Sequence, residues 1–183
     1  VATLPRVVVI TDWEMPDLPE RIRALSSAHG AAVGVQHRAP GMPFRAYLDS
    51  ARQLSALCAA NGTPLFVSGR LDVALLCGAH LHLPEQAPSP GEMRPHLPAG
   101  RWISISLHVD TQLGRAHGAD LALVSPVFAP GSKPGDTRPT LGAAGFAQRA
   151  AQLPCPAYAL GGISAATVGA LRGAAGVAAI SGV

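Results

Sequence analysis

The run Leu160-Gly161-Gly162-Ile163-Ser164 sets two glycines ahead of a capping serine and a stretch of helical periodicity. Backbone N–H groups at such a turn close on an anion, and the dipole of a following helix turns its positive end the same way. A related run, Ile180-Ser181-Gly182, lies near the end of the chain. Together the two predict a phosphate site. A second chemical signal is Gln36-His37-Arg38, which ends an apolar run. Strand alternation puts Gln36 and Arg38 on one face and His37 on the other. An amide beside a guanidinium suits an anionic or heterocyclic ligand, and Arg offers phosphate a bidentate fork. The plainer reading of Arg38 is a rim residue in a surface ion pair. Lys133 is the only lysine among 14 basic residues and lies in a Pro/Gly-rich loop, Pro130-Gly131-Ser132-Lys133. It reads as a compact point charge toward a ligand, or as an incidental surface lysine.

Other groups are more ambiguous. Ser104, Ser106 and His108 alternate along one face of a run. The hydroxyls suit phosphate oxygens; Ser106 and His108 also suit a nucleophile and a base, although no orienting acid is evident. His80 and His82 share a face, as a metal pair would, but no third ligand stands at a fixed spacing, and polar contact or a satisfied, partly buried histidine fits as well. Asp12 either faces a site or caps the next helix. Ser68-Gly69-Arg70 opens space or simply turns the chain.

These residues sit at the ends of eight short apolar runs: Val7–Thr11, Ala32–Gln36, Leu65–Val67, His80–Leu83, Trp102–Leu107, Leu121–Val124, Ala157–Leu160 and Gly176–Ser181. Most are near-continuous in Val, Ile, Leu and Ala, as in parallel strands covered on both faces. Helical periodicity fills the gaps at Leu18–His29, Pro43–Asn61, Arg70–Cys77, Pro90–Pro98, Asp110–His117, Gly145–Leu153 and Ala165–Gly173. Asp110 and Ser164 stand at expected N-cap positions. Alternating strands and helices imply right-handed βαβ units. Eight near-equal units predict one compact α/β domain over residues 1–183, a (β/α)8 TIM barrel with its eighth helix missing from this chain. Either the sequence is cut short there or a partner, such as a second copy in a homodimer, covers the gap. A doubly wound sheet is the other topology compatible with this rhythm. In a (β/α)8 barrel, chemistry gathers at the C-terminal strand ends, and phosphate binds after the last two strands.

Composition narrows the class. The 183 residues are 48% hydrophobic and 14% charged, which excludes disorder. Net charge is +3, but the Arg residues are scattered and aromatics make up 4%, so no nucleic-acid surface is expected. No run reaches the roughly 18–20 apolar residues of a spanning helix, and Val1 to Trp13 lacks a basic head and a cleavage site. No membrane partner and a cytoplasmic location are therefore expected. Cys58, Cys77 and Cys155 have no metal spacing and read as small apolar residues in a reducing compartment.

In order and spacing, VITD, VQHR, SGRLDVALL, HLHL, SISLH, SPVF…SK, ALGGI and GVAAISG resemble the thiamine phosphate synthase and TenI superfamily from Val7 to Gly182. The SGR and APSPGEMR stretches are closer to the TenI branch. The resemblance implies joining of a hydroxymethylpyrimidine diphosphate to a thiazole phosphate, with release of pyrophosphate. The expected transition state is dissociative, and Mg²⁺ and basic residues stabilise its charge. By motif, Gln36 and Arg38 hold the pyrimidine, Ser106 and Lys133 contact its diphosphate, and Gly161, Gly162, Ile180 and Ser181 hold the thiazole phosphate. His82 joins the substrate-binding set and His108 the catalytic set.

The sequence departs from the family at several points. Pro40 replaces a lysine. Ser68 and Gly69 replace an Asn-Asp pair whose Asp is a magnesium ligand. Pro84-Glu85-Gln86-Ala87 replaces a segment with a further acid, and Glu85 is out of register with it. No metal ligand is assigned. The TenI branch tautomerises a thiazole carboxylate phosphate with a strand-six histidine, and here Pro126 stands in its place. Three functions follow as alternatives: the synthase, a TenI-like tautomerase, and a catalytically inactive phosphate-binding or regulatory homologue.

Overall fold

The computed structural model describes residues 3–129 and 139–180. Among them are eight parallel strands: β1 (Val7–Ile10), β2 (Val33–His37), β3 (Leu65–Ser68), β4 (His80–Leu83), β5 (Ile103–His108), β6 (Leu121–Ser125), β7 (Ala157–Leu160) and β8 (Gly176–Ala179). They form a closed barrel in chain order, β1 through β8. The alternating α-helices are α1 (Leu18–His29), α2 (Phe44–Ala59), α3 (Leu71–Leu76), α4 (Pro90–Met93) and α5 (Gly142–Gln152). This is the expected (β/α)8 fold.

Two expected helices shrink to single 3₁₀ turns. Asp110–His117 yields only Leu113–Ala116, and Ala165–Gly173 yields only Val168–Ala170. Glycine at 114, 169 and 173 lowers helix propensity in segments already near the minimum length. Local hydroxyls also compete for the backbone. Thr167 Oγ1 accepts from the Ser164 N–H and donates to Gly162 O, and Thr111 Oγ1 accepts from the His108 N–H. Asp110 caps nothing; Gln112 precedes the 3₁₀ turn without a side-chain cap.

Contacts divide the chain into two compact units, Val1–His82 and Leu83–Val183. In the first, α1 and α2 bury one face each. Ile22, Leu48, Leu54 and Cys58 are inaccessible, while Arg21 and Arg23 point outward. Parallel register fixes which side chains share a face: Ile10, Gln36, Phe66 and His80 form one row, and Ser68 pairs with His82 in the next. The intervening His37 turns the other way, toward α2. Its ring stacks on Tyr47 at 4.3 Å, and its Nε2 lies 2.8 Å from Ser50 Oγ.

In the second unit, Ser106, Leu123, Tyr158 and Gly176 share a row, and His108 pairs with Ser125. The opposite face of β6 and β7 packs Val124, Ala157 and Ala159 against Phe146 of α5.

Burial pushes the His37 pKa down from 6.5 to about 4. Burial and, secondarily, the Arg38 charge push His82 down to about 3. Both rings are neutral in the folded state. The unfolded chain takes up protons first as pH falls, so this stability is full above about pH 6.5 and is lost on acidification toward pH 4. Urea unfolding at pH 7 and pH 4.5 is expected to differ by on the order of 2–5 kcal/mol, with a visibly shallower pH slope in His37→Gln.

Candidate active site

The inward rows place the sequence-derived residues at strand ends. Gln36 is 2% exposed, and its Oε1 has no hydrogen-bond partner among the described residues. A buried amide oxygen without a partner costs about 1–3 kcal/mol, which a ligand donor would recover. Arg38, two residues on along the same face, is exposed. It is held by its backbone: its N–H donates to Thr11 Oγ1 at 3.0 Å, and that hydroxyl lies 3.4 Å from Arg38 O. The Thr11 N–H also donates to Gln36 O at 2.9 Å. Thr11 therefore carries the β1–β2 pairing past the strand ends and leaves the guanidinium free to reach a ligand. Among the described residues no carboxylate pairs with that guanidinium, in contrast to Arg70, which pairs with Asp72 at 2.9 Å over the Phe44 ring.

His82 is buried, and burial with the nearby Arg38 charge favours its neutral form. It is fully rather than partly buried, because its row faces inward. Asp12 takes neither expected role with its side chain: its Oδ1 accepts from the Glu14 N–H at 3.2 Å, and α1 starts behind Asp17.

In the second unit the acid missing from the local sequence is present. Glu85, just past β4, places Oε2 2.6 Å from His108 Nδ1. Its Oε1 accepts a short hydrogen bond from Thr111 Oγ1. The His108 N–H donates to Thr111 Oγ1 at 2.9 Å. Arg149 of α5 donates to the carbonyls of His108 (3.1 Å), Val109 (2.8 Å) and Thr111 (2.6 Å). The carboxylate engages the ring through Nδ1. The imidazole and carboxylate are 26% and 29% exposed, within reach of a small ligand. Glu85 lies 23 residues before His108, a separation no local motif reveals. The available signal was topological: consecutive strand ends in a barrel are neighbours. Ser106 shares the inward face with His108.

Gly161 and Gly162 adopt φ of +96° and +62°, conformations costly for other residues. A Cβ on Gly162 would lie 2.7 Å from both Ala129 O and Phe128 Cβ. The loop after β6 packs onto the glycines, with Phe128 N–H donating to Gly161 O at 3.0 Å. The helix dipole expected behind them is absent, since only a three-residue 3₁₀ turn follows. Ile180 is half-buried at the end of β8. Lys133 and Ser181 lie outside the described residues.

Gly162→Ala is expected to keep the fold but lose about 1–3 kcal/mol of stability, read as a lower melting temperature, because both φ and the contact to Ala129 O resist a side chain.

The class of fold is a closed (β/α)8 barrel. The family model for thiamine monophosphate synthase matches residues 7–183. The chain belongs to that family. It is 36% identical over 167 residues to a thiamine-phosphate synthase of Laribacter hongkongensis, covering 89% of this chain and 78% of the relative. A Methanoculleus marisnigri thiamine-phosphate synthase is 38% identical over 164 residues, covering 87% and 77%. A solved thiamine phosphate pyrophosphorylase from Pyrococcus furiosus superposes with a TM-score of 0.77 at 26% identity, covering 96% of this chain and 85% of that one. Family and fold support a role in thiamine biosynthesis, acting on small molecules. Among the described residues no helix is long and apolar enough to cross a membrane.

The Mg²⁺ that the family implies finds few donors among the residues described. Gly69 has no side-chain oxygen, both Glu85 oxygens accept hydrogen bonds, and no three His, Cys, Asp or Glu side chains converge. The described donor set does not fit a carboxylate-held cation.

Proposed function

We propose that this protein joins a hydroxymethylpyrimidine diphosphate to a thiazole phosphate, releasing pyrophosphate and forming thiamine phosphate. The observation that carries this reading is Gln36, a buried amide whose Oε1 has no partner among the described residues, on the same strand face as Arg38, whose guanidinium pairs with no carboxylate among those residues. An amide recognises the ring nitrogens and exocyclic groups of a heterocycle, and a guanidinium recognises the anionic tail beside it. In the same reading Ser106 and Lys133 take the diphosphate, His82 donates within the pyrimidine pocket, and Gly161, Gly162, Ile180 and Ser181 take the thiazole phosphate. The protein's contribution is orientation and preorganised charge, as a dissociative displacement requires.

Incubation with both substrates, followed by detection of thiamine phosphate, tests the reading. Product formation supports it. Absence of product under all conditions, with tight thiazole phosphate binding, would replace it with a binding role. Gln36→Leu is expected to lower kcat/KM about 10- to 100-fold, since one buried polar contact is worth about 1–3 kcal/mol.

A further inference from the structure

We propose that Glu85 and His108 form a proton-donating pair for the departing diphosphate, supplying the charge neutralisation that a carboxylate-held divalent cation would otherwise provide. This rests on the synthase reading above. Its basis is the geometry at the end of β5. Glu85 is not a spare acid after β4: one oxygen faces His108 Nδ1 at 2.6 Å and the other accepts from Thr111. Gly69, on the next strand end along, offers no oxygen from a side chain.

The surroundings hold the imidazole in one orientation. Arg149 ties down the carbonyls of residues 108, 109 and 111, so the turn bearing the ring is fixed from α5. The charged groups on the pair from the packed elements are therefore Glu85 from the loop after β4 and Arg149 from α5; Asp110, on the turn itself, is exposed. With Glu85 on Nδ1, Nε2 is the ring nitrogen left to donate to a ligand. His108 lies at a C-terminal strand end, where barrel chemistry takes place.

The step balances as follows. The bond between the pyrimidine methylene carbon and the diphosphate oxygen breaks, and its electron pair stays on that oxygen. The Nε2 proton passes to the same oxygen, and the ring becomes neutral with Nδ1–H still directed at Glu85. The thiazole nitrogen lone pair then captures the carbon cation. Arg149 and Thr111 are positioning residues, since neither touches the transferred proton.

Inorganic pyrophosphate is the probe, titrated calorimetrically into the intact chain in EDTA and in excess Mg²⁺. The wild-type protein is expected to bind it in EDTA, with Mg²⁺ changing affinity less than tenfold and with proton uptake visible in buffers of different ionisation enthalpy. His108→Gln is expected to lose at least tenfold in affinity and the proton uptake. Glu85→Gln, which keeps the size of the side chain, is expected to lose proton uptake and serves if His108→Gln does not fold. The proposal is overturned if pyrophosphate fails to bind in EDTA, if Mg²⁺ tightens binding tenfold or more, or if the folded variants bind as the wild type does. Thiamine phosphate formation is assayed in parallel. Its absence in every condition sinks the synthase reading, whereas the pyrophosphate titration alone decides the fate of the pair.

Discussion

Two-residue alternation along hydrogen-bonded parallel strands is the constraint on which the site depends. Pairing Ile10 with Gln36 and Gln36 with Phe66 fixes Gln36 on the inward row. Its neighbour His37 must then face α2, where Tyr47 and Ser50 receive it. A register slip of one residue would exchange them, burying an amide under a helix and turning the imidazole inward. The same rule sets Ser106 and His108 inward while Ile105 and Leu107 pack outward.

Beyond the strand ends, this alternation no longer has a ladder to enforce it, and side chains take over. Thr11 bridges the backbone of Arg38, and Arg149 gathers three carbonyls of the turn after β5. Each bond is modest alone, but each removes a conformational freedom that a long polar side chain would otherwise keep. Precision at the site thus comes from ordinary backbone hydrogen bonds made by residues that touch no substrate.

Charge is handled differently in the two units. In the first, Arg38 stays exposed, while His82 is kept neutral by burial and by that same Arg. In the second, Glu85 and His108 meet in a partly exposed hydrogen-bonded pair. The glycine turn after β7 contributes N–H groups without a helix dipole, because Gly169, Gly173 and the Thr167 hydroxyl prevent a full helix.

Sequence alone determined the strands, their order and the inward residues, because continuous apolar runs and period-two alternation are local properties. The strands His80–Leu83 and Ala157–Leu160 and the helix Leu18–His29 have the boundaries expected from those runs. That Gln36 and Arg38 share one strand face, and Ser106 and His108 another, was legible for the same reason. Short helices were not, since propensity over one or two turns is weaker than a single competing hydroxyl or glycine. Tertiary structure alone decided that Glu85 meets His108, that Thr11 holds Arg38, and that Gly162 must stay bare beneath Phe128 and Ala129. Those contacts join residues far apart in the chain, and only closing the strands side by side brings their ends within hydrogen-bonding or van der Waals distance.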